Sequence, residues 1–582
     1  MNQNLDNLRH SCAHLLAKAV LELWPGSHNA IGPAIDNGFY QDFDMGQVKI
    51  SDADLPKIEA KMRQILPTWT HFEFNEVTLD EARKLFKHNP YKIELLEEFA
   101  SEGKKLLTNN PGDFLDLCKM GHVENPSQEM QHFKLLSVAG AYWRGNKKNK
   151  MLTRIYGTCW PTQKELDDYL KMRDESLVND HRILGKKLDL FAFSDLVGKG
   201  LVMYTPRGTI IKNELKEALI QISKNYGVQE VNIPHMAKID LYKISGHADK
   251  FSNELFKVVS HYDEEFVLKP VNCPHHTQIY ASKQRSYRDL PIRYIESTQQ
   301  HRDEKPGEIG GLNRSRSFEI DDGHTFCTPD QIKQEVINTV KIIEEFYTAL
   351  GMWGKHWVSL SFRDPKTPEK YIGDLPDWEK AQIMLQDISD ELNLGAKVMI
   401  GEAALYGPKI DIMLKDALGN DRQLGTVQVD FAMPKRFSLV YVDKDGLEKT
   451  PVMLHRAILG SYGRFIANLI ESTGGAFPTW LAPVQAIVLP ISDKHQEYAQ
   501  KVVDQLKEAR VRVELNDKNE PLNARIRDAE MQKVPYILVV GDKEAGSDLV
   551  SVRHRHSKDS QTQSIIEFSS QVRDEIAKRT NN

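Results

Sequence analysis

Two pairs of side chains near the N-terminus are spaced for chemistry. His10 and His14 stand at i and i+4 in HSCAHLLAKAV, and Cys118 and His122 repeat the interval in DLCKMGH. On a helix, residues four apart share a face, so each pair would aim two donors the same way. Two such pairs make a candidate four-ligand zinc site, because zinc takes His nitrogen and Cys sulfur. The same residues equally suit a hydrolytic pocket in which imidazoles move a proton to or from water. A lone HxxxH is more often surface or core furniture than a site. Ser11 stands where an HExxH motif would have Glu, which disfavours a zinc protease of that kind.

The surrounding sequence is more specific. HSCAHLLAKAV, IGPAIDNGFYQDF, PYKIELLEE, DLCKMGH and FKLLSVAGAYWRGNKKNKMLTRIYGT follow one another in an order that resembles the editing domain of the threonyl-tRNA synthetase family. The resemblance implies that His10, His14, Cys118 and His122 form a water-activating pocket that removes serine from tRNA, with Lys92 and Asp116 as further pocket residues. It implies a pocket free of metal. The need is physical: serine is threonine minus a methyl, and one such group is worth only about 1–3 kcal/mol of discrimination. The segment WRGNKKNKMLTR offers Arg144, Lys147, Lys148, Lys150 and Arg154 without an acidic residue, either as phosphate contacts or as a solvated loop.

A second constellation lies in the middle of the chain. GVQEVNIPHM, HRDE with RSRSFEI, and LGSYGRF resemble the three class II synthetase motifs. In the first, Pro234 would end a strand at a dimer interface. In the second, the resemblance implies that Arg302 holds the ATP α-phosphate with a bidentate fork, Glu304 reads the adenine amino group, Phe318 stacks on the base and Arg314 reaches the outer phosphates. In the third, Arg464 clamps the γ-phosphate, while Gly460 and Gly463 allow backbone to pack closely. A single Arg of this kind would more often be a surface ion pair; the ordered set argues otherwise. No GxxxxGK[ST] is present, so a P-loop ATPase is excluded.

Cys273 in NCPHH, His324 in DDGHTF and His455 in MLHRAILGS have no short spacing that a sequence rule would find. The resemblance implies that they are three zinc ligands, leaving a fourth position for the amino group and hydroxyl of threonine. Valine lacks the hydroxyl and would be rejected. By the same resemblance Asp322 accepts the hydroxyl proton, Tyr406, Thr426 and Gln428 line the amino-acid pocket, Lys409 and Gln423 lie on the nucleotide side, and His247 lies near the transfer step. ATP would come with Mg²⁺. Some positions depart from the family pattern: His275 replaces a Gly, Ile320 stands where a Gln would contact the amino group, Val271 replaces a Met, and the loop EKPGEIGGLNR is unusual.

The elements needed to position these groups can be read in outline. The expected class is α+β and multidomain: an α/β editing domain at 1–160, a charged helical linker at 161–187, a class II catalytic domain at 188–482 built as an antiparallel sheet flanked by helices, and a C-terminal α/β domain at 483–582. Short β-branched runs such as Lys397 to Ile400 and Ile410 to Leu414 read as strands, and Gln331 to Ala349 as a helix. After Ala482, strands at 485–490, 511–515 and 536–540 alternate with helices at 495–509 and 522–531. This C-terminal stretch resembles the class IIa anticodon-binding domain, which implies that Glu520 and Arg527 lie near the anticodon pocket. A solvated helix face would explain those two as well.

Bulk properties set limits. The 582 residues exceed one core, and about 150 residues per domain gives three or four domains. Five cysteines, odd in number and scattered, fit a reducing compartment rather than a disulfide frame. MNQNLDNLRH carries no apolar h-region, so a cytoplasmic chain without a signal peptide is expected. Met1 falls almost at the editing-like segment, so the small extra N-terminal module of many family members is expected to be missing. The net charge of -6 does not advertise nucleic acid, and Pro483 to Asn582 carries 16 basic and 16 acidic residues. Expected partners are therefore inferred from motifs: tRNA(Thr), ATP, L-threonine and a second copy of the chain as a homodimer, with no membrane. Two other classes fit less of the chain, namely an RNA-binding regulator that kept the fold without aminoacylation, and a metallohydrolase built on the His10 and Cys118 pairs.

Overall fold

In the structure, a computed structural model, residues 3–118, 121–146, 148–305, 307–416, 419–557 and 559–580 are described. The chain forms two compact units, Met1–Asp174 and Glu175–Asn582.

The first unit is organised by the helix Gln3–Leu23. Leu8, Cys12, Leu15, Leu16, Ala19 and Val20 recur at helical spacing and are buried. They pack on an antiparallel sheet whose strands run in the order His28–Asn29, Gly38–Asp44, Met151–Trp160, His132–Tyr142, with Ala34–Ile35 pairing Gly38–Asp44 in a hairpin. Phe39, Phe43, Phe133 and Cys159 complete this core. Gly38 lies so close to its partner strand that a Cβ there would meet Gly157 O at 2.1 Å. A second sheet joins Glu73–Glu76, Leu107–Asn110 and Asp116–Leu117, and delivers Asp116 and Cys118 to the helix face that carries His10 and His14.

The expected single connector is two helices. Gln163–Asn179 ends at Asp180, whose side chain accepts from Arg182 N at 2.7 Å and caps a new helix, His181–Lys187. A local cap that satisfies the orphan amide thus overrides continuous helix propensity.

The second unit is built on eight strands in the order Gln229–Glu230, Ile292–His301, Ser317–Cys327, Val452–Ala457, Asp421–Asp430, Lys409–Lys415, His356–Phe362, Lys397–Ile400. The six central strands pair antiparallel, and the two edge strands are parallel to their neighbours. The strand in the first class II motif stops at Glu230, so Pro234 lies beyond it rather than at its end. The helices Ile332–Ala349 and Tyr462–Thr473 bury their apolar faces against the sheet, with Phe346, Tyr347, Phe465 and Ile466 almost wholly inside. The other face of the central strands is lined with polar side chains and carries the site.

The unit also contains a five-stranded sheet in the order Val513–Leu515, Ala486–Pro490, Tyr536–Val540, Leu549–His554, Ser560–Ser564. The first three strands are parallel, as the alternation with helices predicts, and the last two are antiparallel. No helix among the described residues is long and apolar enough to cross a membrane.

Candidate functional site

Strand alternation builds the larger site. Phe318, Ile320, Asp322 and His324 are spaced by two along one strand, so their side chains leave one face of the sheet. On the neighbouring strand the register pairs His324 with His455, and one strand further it pairs His455 with Gln428. Gln428 in turn opposes Lys409, and Thr426 opposes Asp411. Residues remote in sequence are brought together by register alone.

At one end of this face Cys273, on the first turn of the helix Cys273–Ala281, meets His324 and His455. All three are buried, and their ligand atoms lie within 4.8 Å of one another. His324 Nε2 and His455 Nδ1 face each other at 3.1 Å. His455 Nε2–H donates to Asp430 Oδ2 at 2.8 Å, which leaves the lone pair on Nδ1. His324 Nδ1 contacts His276 Nδ1 at 2.7 Å, and His276 Nε2 lies 3.7 Å from Glu296 Oε2. With His324 donating to His276, two imidazole lone pairs and a sulfur converge on one point among the buried carboxyls Asp430 and Glu296 and the partly exposed Asp322. Such an arrangement fits a divalent cation, with the outer hydrogen bonds fixing the ring tautomers. Burial raises the Asp322 carboxyl above the usual range, and pushes the Cys273 thiol up. The Tyr406 hydroxyl hydrogen-bonds Cys273, and its ring lies 4.6 Å from that of His455. His247 is buried 6.1 Å from the Tyr406 ring, donates to or accepts from Ser245 Oγ at 2.9 Å, and is held down to about 4 by desolvation.

At the other end the face opens into a cavity of about 300 Å³ lined by Arg302, Glu304, Arg314, Phe318, Gln423 and Arg464, with Ile320 and Thr426 in its wall. The Arg302 guanidinium sits 5.3 Å over the Phe318 ring. Arg464 donates to Asn313 O at 3.3 Å, and its pKa is lowered by burial and then by the neighbouring cations Arg422, Arg302 and Arg314. Crowded cations beside an open cavity make an anion site. Glu304 and Arg314 are paired with each other at 2.7 Å, and Arg314 also reaches Glu308 at 2.8 Å. Asp411, which the sequence reading did not single out, is the hub of this wall: it accepts from Lys409 at 2.7 Å, Gln423 at 2.9 Å, Thr426 at 2.8 Å and Ser361 at 2.7 Å. Gln428 donates to Gly407 O at 3.3 Å.

The departures cluster in the same place. Ile320 lies between Phe318 and Asp322 on the strand. His275 is buried with its ring edge toward Tyr242 at 6.2 Å, and Val271 packs into the small core beside Cys273.

The first unit carries a separate centre. His10, His14, Cys118 and His122 place their ligand atoms within 4.8 Å of one another. His10 Nδ1 donates to Gly121 O at 3.2 Å, leaving Nε2 to face His14 Nε2 at 3.2 Å. Ser11 Oγ donates to Asn7 O and so accepts from His122 Nδ1 at 3.0 Å. The remaining nitrogen of His122 then accepts from the Asn109 amide at 2.7 Å. Lys92 Nζ and Asp116 Oδ1 form a buried ion pair at 2.7 Å, and Asp116 also takes Asn29 at 2.9 Å and lies 3.4 Å from His14 Nδ1. Burial lowers the pKa of His10 and His14, and brings His122 to about 3. All three rings are neutral near pH 7. His10 and His14 border a cavity of about 490 Å³ that also reaches Cys118, Lys92, Gln41 and Gly32.

One expectation changes. Arg144, Lys150 and Arg154 are paired with Glu94, Asp44 and Asp42 at 2.7, 2.6 and 2.7 Å, so most of that basic run is neutralised internally; Lys147 lies outside the described residues. Glu520 and Arg527 are exposed at and just before the helix Leu522–Met531. The neighbouring Arg525 is the structural one, donating to Asn516 O and Pro490 O at 3.0 and 2.8 Å.

With this geometry in place, likeness to known proteins can be read against it. Residues 256–473 match the tRNA synthetase class II core domain (G, H, P, S and T), and residues 485–575 match an anticodon binding domain. The chain is 44% identical over 578 residues to the threonine–tRNA ligase of Streptococcus suis (strain 05ZYH33), covering 99% of this chain and 89% of that one. It is 44% identical over 577 residues to that of Staphylococcus carnosus (strain TM300), with the same coverage. Among solved structures, the RNA binding domain of threonyl-tRNA synthetase from Cryptosporidium parvum Iowa II superposes with a TM-score of 0.64 at 36% identity, covering 68% of this chain and 97% of its own.

Proposed function

The chain belongs to the threonine–tRNA ligase family of class II synthetases, and from that premise we propose how its two centres divide the work. The protein is a threonine–tRNA ligase. The single observation that carries the assignment of roles is the row Phe318, Ile320, Asp322, His324 on one strand face, which runs from the Arg-lined cavity to the Cys/His cluster.

ATP, with Mg²⁺ as the family implies, occupies the cavity. Phe318 stacks on the adenine and Glu304 reads its amino group, which requires the Glu304–Arg314 pair to open and frees Arg314 for the outer phosphates. Arg302 neutralises the α-phosphate and Arg464 the γ-phosphate. Lys409 and Gln423, held by Asp411, border the nucleotide. Cys273, His324 and His455 would hold a zinc ion, which when bound supplies a Lewis-acid position for the amino group and hydroxyl of threonine. Asp322 accepts the hydroxyl proton, and Tyr406, Thr426 and Gln428 close the pocket. The threonine carboxylate attacks the α-phosphate in line and pyrophosphate leaves; a terminal ribose hydroxyl of tRNA then attacks the threonyl carbonyl near His247, the bond to the phosphate breaks, and AMP leaves. The protein contributes orientation and charge neutralisation.

The first unit hydrolyses serine from mischarged tRNA(Thr). His10 and His14 are the neutral bases that take a proton from water, Lys92 and Asp116 fix the pocket wall, and Cys118 and His122 complete it. This centre works without metal: Asn109 already occupies the acceptor nitrogen of His122, and Lys92 puts a cation beside His14. Glu520 and Arg527, both exposed, are the residues we assign to the anticodon. Class II architecture supports a homodimer, and five cysteines joined by no disulfide suit the cytoplasm.

The test is ATP–pyrophosphate exchange with threonine, serine and valine, before and after Cys273→Ser. Threonine-dependent exchange that excludes valine and disappears in the variant is expected. Exchange that survives the substitution would remove the metal centre from the reading.

A further inference from the structure

His181 lies outside every motif discussed above, and it is 3% exposed at the start of the helix His181–Lys187. Its ring spans two elements. Nδ1 is 2.6 Å from Glu471 Oε1, and the backbone amide of the same residue reaches that oxygen at 3.4 Å. Nε2 is 3.1 Å from the backbone N of Leu312. An amide can only donate, so Nε2 carries the lone pair and Nδ1 carries the proton given to Glu471. Asp180, His181 and Glu471 group as possible cation ligands. That reading is set aside, because both ring nitrogens are already engaged in hydrogen bonds of good length.

What the ring joins matters. Glu471 lies two turns along the helix Tyr462–Thr473 from Arg464. Leu312 directly precedes Asn313 and Arg314, which line the cavity, and Asn313 O receives Arg464 Nε at 3.3 Å. The loop approaches the ring closely: Gly311 has φ +56, and a Cβ on it would lie 2.4 Å from His181 Nε2. Beyond it, a Cβ on Gly463 would lie 2.9 Å from Leu312 O. The loop is therefore seated between the imidazole and the helix.

We propose that His181 is a positioning residue for nucleotide binding: its Nδ1-protonated imidazole ties the loop of Asn313 and Arg314 to the helix of Arg464, and so sets the distance between the two phosphate-facing arginines. The inference rests on the reading of the 300 Å³ cavity as the ATP site. The ring touches no substrate. Its effect passes through Leu312 N–H and through Glu471, so it bears on ATP and leaves the threonine end of the strand face alone.

The experiment is steady-state pyrophosphate exchange on the full chain, with ATP and threonine varied separately, for His181→Ala, His181→Gln and Gly311→Ala. Loss of a buried hydrogen bond to the loop predicts an ATP KM raised about fivefold to tenfold in His181→Ala, with the threonine KM within twofold of the parent. His181→Gln, whose Oε1 can take the Leu312 amide, recovers most of the ATP KM. Gly311→Ala keeps the ring and crowds it, and reproduces the ATP-selective defect. A purely structural role would lower thermal stability or the active fraction without separating the two KM values. Unchanged ATP KM in both His181→Ala and Gly311→Ala, or equal shifts in both substrates, overturns the proposal. Arg464→Ala and Phe318→Ala run alongside: if they too leave the ATP KM unchanged, the cavity is not the ATP site, whereas a defect there with normal His181 variants rejects only the role of His181. If His181→Ala yields no folded protein, Gly311→Ala and His181→Gln decide the matter on the same readout.

Discussion

The two Cys/His clusters, one in each unit, use nearly the same side chains in opposite electrostatic settings. Around Cys273, His324 and His455 stand Asp322, Asp430 and Glu296, and the lone pairs of two rings are left pointing at each other. Around His10, His14, Cys118 and His122 stand a Lys92–Asp116 pair that cancels its own charge and an Asn109 amide that takes one of the ring nitrogens. The first setting gathers acidic groups around open ring lone pairs, which suits a dication. The second leaves neutral bases beside a large cavity, which is what proton transfer to and from water requires. Ligand type alone does not decide between metal and acid–base chemistry; the neighbours that fill or leave open the lone pairs do.

The comparison can be broken most strongly at His10. His10→Ala should lower deacylation of Ser-tRNA(Thr) by about 10²–10⁴-fold while pyrophosphate exchange with threonine stays at the parental level. Equal losses in both assays would mean that the two centres are not independent in function. A smaller effect is expected from Asp430→Asn, which keeps shape but removes the carboxylate that holds His455 Nε2–H. Zinc affinity, read by chelator competition, should fall about 10–100-fold. An unchanged affinity would show that Asp430 does not tune the centre. Metal analysis sharpens the contrast further: the parent protein should carry one zinc per chain, and Cys118→Ser should leave that count alone.

The smallest effect concerns pH. His122 is held down to about 3, chiefly by burial and then by His10. Its folded pKa is depressed below the ordinary 6.5, so its contribution to stability is complete above about pH 6.5 and is lost as the pH falls, because the unfolded chain takes up the proton and the folded one does not. At pH 5 this amounts to about 2 kcal/mol, and the lowered His10 and His14 act in the same direction. Hydrogen exchange in the helix Gln3–Leu23 should accelerate between pH 7 and pH 5 after correction for intrinsic rates. No excess acceleration would place these rings in a wetter setting.

Much of this was legible in the sequence, for identifiable reasons. Where β-branched or amphipathic runs were strong, the reading and the structure coincide: the helix Leu522–Met531 and the strands Tyr536–Val540 and Lys397–Ile400. The strands Leu549–His554 and Ser560–Ser564 were not read, because SVRHRHSKDSQTQS offers little apolar signal and the pairing itself makes them strands. The connector hid its break because Asp180 acts only through a cap. The i, i+4 pairs declared themselves, whereas Cys273, His324 and His455 came only through resemblance, since three separate elements meet there. Asp411, Asp430, Asn109 and His181 act by accepting or donating hydrogen bonds while buried, and a lone polar residue in a sequence does not announce its burial.

The pairing of His324 with His455 across adjacent strands has a consequence for how the chain can vary. The excursion from Thr328 to Pro451 can gain or lose length in its loops without disturbing the meeting point, because the ladder on either side restores the alignment. One residue inserted between Gly323 and Cys327, or between Val452 and His455, has the opposite outcome. It turns the alternation over and sends an imidazole to the far face of the sheet. Tolerance to insertion should therefore switch from permissive to forbidding within a few residues of each strand end, and an insertion scan would trace the edges of the site without any assay of its chemistry.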